Sequence, residues 1–520
     1  MAKACYLTTP LYYVNASPHI GHSYTEVAAD CLARWRRLKG EQVFLLTGTD
    51  EHGQKIEQAA AAAGQPPQAF VDEVVQRFKG LWTLLNISYD DFIRTTEPRH
   101  VRIVQHCLAK LHDEGQLFHT AYDGWYCTPC ETFWTKEELT GASSACPTCQ
   151  RPLEAVKEEG WSLPLRQHQD WLRGFLKSHR TFIQPQTRFN EIETLLEQPL
   201  PEHLCITRPR QRVGWGIPVP FSAQHVTYVW FDALLNYISA AGYGADAARF
   251  GSLWPADVHV IGKDILRHHA VSWPIILHAL GLPDEQMPRM IFAHGWWKIG
   301  EQKMSKSLGN IVDPSVVVQQ FLKAQPYAAD VYRYFLLREI PFGQDGVFSE
   351  EAILTRLNAD LANDLGNLVN RALSMLERYA QGKMPAPGAV GCAVEDEPLR
   401  QEALALAERV ERAMQLLNFS QALEAIMALV SHANRYIESQ APWQLAKSGS
   451  TDRLQTVVGM PAEAIRVSAI LLEPFMPSVS TAIWEQLGMG TSPRRLVDAT
   501  RWPALQAGQP LGTRSVLFPK

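Results

Sequence analysis

The rhythm of apolar and polar positions changes twice along the chain. Residues 5–9 are a short apolar run closed by Pro10. After a loop, apolar residues three and four apart over about residues 19–38 predict a helix. Beyond Lys39-Gly40, the run Val43-Phe44-Leu45-Leu46 predicts a second strand. Strand, loop, helix and strand in that order open a parallel α/β sheet. Helical spacing continues to about Gly115, and a segment punctuated by Cys and Pro then extends to roughly Pro220. Strand signals return at residues 226–230, 259–261 and 290–293, so the sheet is expected to resume after an insertion. From Ser349 onward the spacing is helical with few glycines, which predicts a bundle with breaks near Pro385, Pro442 and Pro461.

Length and composition narrow the picture. A chain of 520 residues should divide into two to four compact units. The formal net charge of −5 argues against non-specific coating of DNA, while leaving room for local Lys/Arg patches that hold phosphates. There is no signal-peptide pattern at the start and no run of about 18 apolar residues, so a cytoplasmic protein without a membrane segment is expected. Of nine cysteines, four gather as Cys127-Thr128-Pro129-Cys130 and Cys146-Pro147-Thr148-Cys149 while five are scattered. An odd total with two C-x2-C pairs reads as a metal site in a reducing compartment. Each pair places two thiolates on one turn, and Cys127, Cys130, Cys146 and Cys149 together would close a tetrahedral structural Zn²⁺ site.

Two segments suit phosphate chemistry. Pro18-His19-Ile20-Gly21-His22 follows the first strand and opens the first helix. Proline suits a first helical turn, the exposed N–H groups there favour anions, and His19 and His22 share a face. Gly21 would let a flat adenine ring approach the backbone. Lys303-Met304-Ser305-Lys306-Ser307 lies between Gly300 and Gly309, a setting for a loop whose ammonium groups follow phosphate charge onto a leaving pyrophosphate. Either segment alone reads more simply as surface histidines or a solvated basic loop.

Together, in this order and on either side of an interrupted α/β sheet, they resemble the HIGH and KMSKS signatures of class I aminoacyl-tRNA synthetases. The resemblance implies a Rossmann-like, doubly wound parallel sheet with ATP across the carboxyl ends of its strands. It also implies in-line attack of an amino-acid carboxylate on the α-phosphorus. His19, His22, Lys303, Lys306 and Mg²⁺ carried with ATP would position the groups and stabilise their charge.

Four further blocks resemble the methionine enzymes of that class: residues 10–15 (PLYYVN), 48–53 (GTDEHG), 228–233 (YVWFDA) and 261–265 (IGKDI). Carried over on that resemblance, Leu11, Tyr13, Trp230, Ala233, Leu234, Tyr237, Ile265 and His269 would line a methionine pocket, and Asp50 would hold the substrate ammonium. Aromatic rings suit a thioether, and a Tyr O–H and a His N–H could donate to its sulfur. Leu234 stands where some family members carry proline. Asp264 would accept from an ATP ribose hydroxyl beside Lys263, with Ser305 in the KMSKS loop, and Arg208 would lie near the reacting groups. The space between the sheet halves is too short for the editing domain of the leucine, isoleucine and valine enzymes. The rivals are a cysteine enzyme of the same class, which needs an open metal site, and an inactive RNA-binding relative, which would have eroded ATP signatures.

In the helical region, residues 363–371 match the family's first bundle helix. The resemblance assigns Asn367, Arg371 and Trp443 to the anticodon, by edge contacts and stacking on unpaired bases. The expected partners are ATP, L-methionine and the initiator and elongator tRNA(Met), with no DNA or membrane. A monomer is expected, since no appended oligonucleotide-binding domain follows. The expected division is 1–115 and 226–298 for the two catalytic halves, 116–225 for the zinc-bearing insertion, 299–348 for the KMSKS loop and stem contact, and 349–520 for the anticodon bundle.

Overall fold

The structure is a computed structural model describing residues 3–135, 138–139, 145–299, 302–303, 312–385, 393–490 and 493–519. The chain forms two compact units. The first comprises residues 1–29, 42–81 and 89–295, and the second residues 30–41, 82–88 and 296–520.

A parallel sheet organises the first unit. Its strands run in the order Asp91–Arg94, Val43–Asp50, Cys5–Thr8, Val258–Gly262, Ile291–His294 and Ile183–Gln184, with Tyr12–Tyr13 also paired to Val43–Asp50. Every pairing is parallel. Val43–Asp50 is buried along six consecutive positions, as a central strand covered on both faces must be, which is why its sequence reads as an unbroken apolar run. Asp50 is its last residue, and Tyr13 lies beside it in register.

The insertion carries a four-stranded antiparallel sheet ordered Thr132–Trp134, Phe118–Cys127, Glu154–Leu163 and Leu204–Cys205. It also lends Ile183–Gln184 to the main sheet, a strand too short to show any period. The signal at 226–230 resolves differently from the expectation of a resumed main-sheet strand. The strand Ser222–Thr227 ends early and pairs with Thr207–Pro209 and Pro218–Val219 in a separate antiparallel sheet. Trp230 sits in the short helix Val229–Leu234 that follows. A brief run of β-branched and aromatic residues does not distinguish a strand from a fully buried helical turn.

The second unit contains the helices Asn367–Tyr379, Glu397–Gln415, Phe419–Gln440 and Thr451–Leu472. Pro461 does not break the chain as the sequence suggests; it lies inside Thr451–Leu472. Residues 456–472 are buried without interruption, so apolar burial all round the helix outweighs the one backbone hydrogen bond that proline cannot make. The backbone of Gln302–Lys303 forms a strand beside Trp297–Ile299. Ser305 and Lys306 lie outside the described residues.

Candidate active site and metal centre

His19 and His22 flank the start of helix Ile20–Leu38 and stack at 3.8 Å, with 21° between the ring planes. The Nδ1 of His19 accepts from the Gly21 N–H, and the Nδ1 of His22 accepts from the His19 N–H, each at 3.1 Å. An accepting Nδ1 carries no proton, so the neutral rings bear theirs on Nε2, in the form that donates to an anion. A Cβ on Gly21 would stand 3.0 Å from the His19 ring, which gives the glycine a local reason independent of any adenine.

Asp50 is the most exceptional group at the strand ends. It is 2 % exposed, and its Oδ1 has no hydrogen-bond partner among the described residues. The Tyr13 hydroxyl is likewise buried and without a hydrogen-bond partner among them. Burial, then the neighbouring Asp232 and Glu131, push the Asp50 carboxyl well above its usual range. An arriving ammonium would reverse that, since it supplies the charge and donors the site lacks.

The walls of this site come from distant elements. Tyr13 meets the Trp230 ring edge-on at 6.4 Å, and Trp230 stacks on His268 at 3.7 Å. Tyr13 and Ile265 pack on the cluster that contains Trp230, while Leu11, Leu234 and Tyr237 belong to or pack on the main core. Ala233 is buried in the same short helix as Trp230. Tyr237 Oη lies 2.8 Å from His269 Nε2, and His269 Nδ1 lies 3.0 Å from the Ile265 carbonyl. Burial pushes His269 down to about 4, so the ring is neutral near pH 7. Nδ1 then donates to the carbonyl, and Nε2 accepts the Tyr237 proton. Sequence reasoning has both groups donating to a thioether; in the fold both protons are already engaged, and Tyr237 presents its oxygen.

Asp232 was not singled out from the sequence, although it lies within the 228–233 block. It is fully buried and binds His52 Nδ1 and His100 Nε2, each at 2.7 Å. Burial opposes its charge, but His52 and His100 prevail and hold its pKa below the ordinary value. This triad joins the turn after Asp50 to the helix carrying Trp230. Nothing in the sequence marks His100 as its third member.

Lys263 and Asp264 open the 3-10 turn that follows strand Val258–Gly262. A Cβ on Gly262 would lie 2.6 Å from Asp264 Oδ1, so the glycine leaves space for the carboxylate to fold over the strand end. Arg208 is held differently from the other assigned residues. It is 3 % exposed, pairs with both carboxylate oxygens of Glu158 at 2.7 and 2.8 Å, and lies over the rings of Tyr126 and Phe133. This geometry anchors the two antiparallel sheets to each other, and reaching a substrate would require breaking that pair.

The four cysteines converge. All four Sγ atoms lie within 4.8 Å of one another, with 3.5 Å between Cys127 and Cys149 and 4.0 Å between Cys130 and Cys146. A tetrahedron with metal–sulfur bonds of about 2.3 Å has sulfur–sulfur edges of about 3.8 Å, so the donor set fits zinc closely. A hydrogen bond from the Cys130 thiol lowers Cys127, and that same bond raises Cys130. The shell therefore does not readily hold four thiolates without a cation.

In the second unit, Asn367 and Arg371 occupy one face of helix Asn367–Tyr379. Their partners, Asn434 at 3.3 Å and Glu438 at 2.6 Å, are also four residues apart, on helix Phe419–Gln440. That helix ends at Ala441 in the left-handed region, and the next helix, Pro442–Ser448, presents Trp443 at 39 % exposure. An indole is costly to leave in water without a partner to stack on it.

Comparison with known proteins places the chain in a family. Residues 5–373 match the family model for class I tRNA synthetases (M), and residues 384–520 match the anticodon binding domain of methionyl tRNA ligase. The methionine--tRNA ligase of Caldanaerobacter subterraneus subsp. tengcongensis is 47 % identical, over 100 % of this chain and 79 % of the relative. That of Clostridium tetani is 44 % identical, over 100 % and 78 %. A solved structure of Mycobacterium tuberculosis methionyl-tRNA synthetase in complex with methionyl-adenylate covers 100 % of both chains, with 39 % identity and a TM-score of 0.93. The chain belongs to the methionyl-tRNA synthetases, the class I ligases that join methionine to tRNA.

Proposed function

We propose that Asp50 binds the methionine ammonium and that Leu11, Tyr13, Trp230, Ala233, Leu234, Tyr237, Ile265 and His269 enclose the side chain. The observation that carries this reading is the buried carboxylate oxygen of Asp50, beside an equally unpartnered Tyr13 hydroxyl among the described residues, at the carboxyl edge of a parallel sheet. Such groups cost stability in the free protein and are explained by a cationic ligand. His19 and His22 would donate from Nε2 to ATP phosphates, Gly21 would border the nucleotide, and Asp264 beside Lys263 would take a ribose hydroxyl. Lys303, Ser305 and Lys306 complete the proposed ATP set from the KMSKS segment, with Mg²⁺ accompanying the nucleotide. Arg208 would serve by holding the insertion in place.

Cys127, Cys130, Cys146 and Cys149 would hold one structural zinc ion. When bound, it neutralises the thiolates and locks the two cysteine turns together; a closed four-sulfur shell has no position for a substrate thiol, which disfavours cysteine as substrate. Asn367, Arg371 and Trp443 would contact the anticodon shared by initiator and elongator tRNA(Met), and a cytoplasmic location suits these substrates. Amino-acid-dependent ATP–pyrophosphate exchange, run with methionine and with cysteine, tests the pocket. Exchange with methionine that is weakened by Asp50→Asn is the expected result, and preference for cysteine would overturn the assignment.

A further inference from the structure

We infer that Glu131, the residue after the second metal-site cysteine, is a positioning residue for the amino-acid pocket; this rests on the pocket proposed above. Helix Gln54–Ala62 starts directly after the turn Asp50-Glu51-His52-Gly53. Gly53, at φ 101°, is its N-cap and offers no side chain to the first amides. Helix starts ordinarily recruit Ser, Thr, Asp or Asn for that purpose. Here the cap comes from far along the chain: Glu131 Oε1 accepts the Lys55 N–H at 2.7 Å. A Cβ on residue 53 would stand 3.0 Å from that same oxygen, so the left-handed backbone and the incoming carboxylate both call for glycine.

The rest of Glu131 is equally committed. Oε2 accepts from the Tyr126 hydroxyl, and its backbone carbonyl accepts from the Tyr228 hydroxyl, immediately before the helix that bears Trp230. Two preceding carbonyls continue the pattern. Cys130 O accepts from Trp230 Nε1 at 3.4 Å, and Pro129 O accepts at 3.1 Å from Lys55 Nζ, which lies 4.7 Å over the Tyr13 ring. Residues 129–131 thus hold the start of the helix after the Asp50 turn and the Trp230 helix by direct contact, and reach the Tyr13 ring through Lys55. Glu131 is 1 % exposed and itself left-handed at φ 50°.

Apart from Tyr126, what residues 129–131 hold lies beside Asp50, Tyr13 and Trp230, whereas His19, His22, Lys263 and Asp264 are not among their partners. Loss of Glu131 should therefore loosen methionine binding selectively. Glu131→Met keeps the length of the side chain but offers no oxygen to the Lys55 N–H or the Tyr126 hydroxyl. Gly53→Ala pushes on the same oxygen from the opposite side. Both variants should raise the methionine KM in pyrophosphate exchange by roughly tenfold and change the ATP KM less than twofold. Methionine affinity without ATP, read from tryptophan fluorescence, should fall in parallel, with zinc content equal to wild type. An unchanged methionine KM in both variants, parallel rises in both KM values, or loss of zinc matching the loss of activity would overturn the inference. Asp50→Asn assayed alongside separates the cases: if it leaves methionine KM intact, the pocket reading fails, and if it alone raises KM, only the role of Glu131 fails.

Discussion

Asp50 shows how one residue can trade stability for binding. Because burial and the carboxylates of Asp232 and Glu131 raise its pKa, the protonated form stabilises the fold. That contribution is complete below the ordinary aspartate value of about 3.9 and is lost as pH rises toward the folded value. Asp50→Asn keeps the shape and never ionises, so its advantage over wild type in thermal unfolding without methionine should grow as pH is raised from the ordinary aspartate value of about 3.9. It should reach about 2–4 °C. The same variant should raise methionine KM roughly 100-fold, since it removes a charge-assisted contact to the ammonium. Equal melting curves across that pH range would remove the physical basis for the site. His269 has the opposite sign. Burial pushes it down to about 4, so it contributes stability above the usual histidine value of about 6.5 and loses it as pH falls toward 4. Acid unfolding of His269→Gln should accordingly be shallower than that of wild type over that window.

At the level of elements, two cysteine turns and the strand Phe118–Cys127 form a unit whose cohesion depends on compensating the thiolates. Chelation of the metal, or Cys127→Ser, should destabilise the protein by several kcal/mol in denaturant titration. Metal analysis would show the ion released as the transition shifts. A full complement of zinc in Cys127→Ser, with unaltered stability, would refute the four-sulfur shell. The helix pair Asn367–Tyr379 and Phe419–Gln440 makes a contrasting element, with buried apolar residues on each helix and polar pairs at Asn367–Asn434 and Arg371–Glu438. The Arg371–Glu438 pair contributes little to folding because Glu438 is 62 % exposed, so the proposed contact of Arg371 with the anticodon would cost little stability.

For the whole molecule, the two units suggest a separation of tasks. Trp443→Ala should lower kcat/KM for tRNA charging roughly 10- to 100-fold, the worth of one base stack, while leaving methionine-dependent pyrophosphate exchange within twofold. Equal losses in both assays would contradict it. The sequence by itself determined whatever is carried by neighbours in the chain. The paired cysteines and the histidines three apart at a helix start were legible from spacing, whereas Asp50, Asn367 and Arg371 entered through the resemblance, with spacing adding only that the last two share a helical face. Only the tertiary structure decided which sheet each strand joins, since two-residue strands such as Ile183–Gln184 have no period and their pairing is set by distant partners. It also decided that Pro461 stays within a helix, that both protons of the Tyr237–His269 pair are engaged, and that a carboxylate 76 residues away caps the helix after Asp50. Burial sets the protonation of these groups and long-range contacts set their partners, and neither quantity is written in any local run of residues.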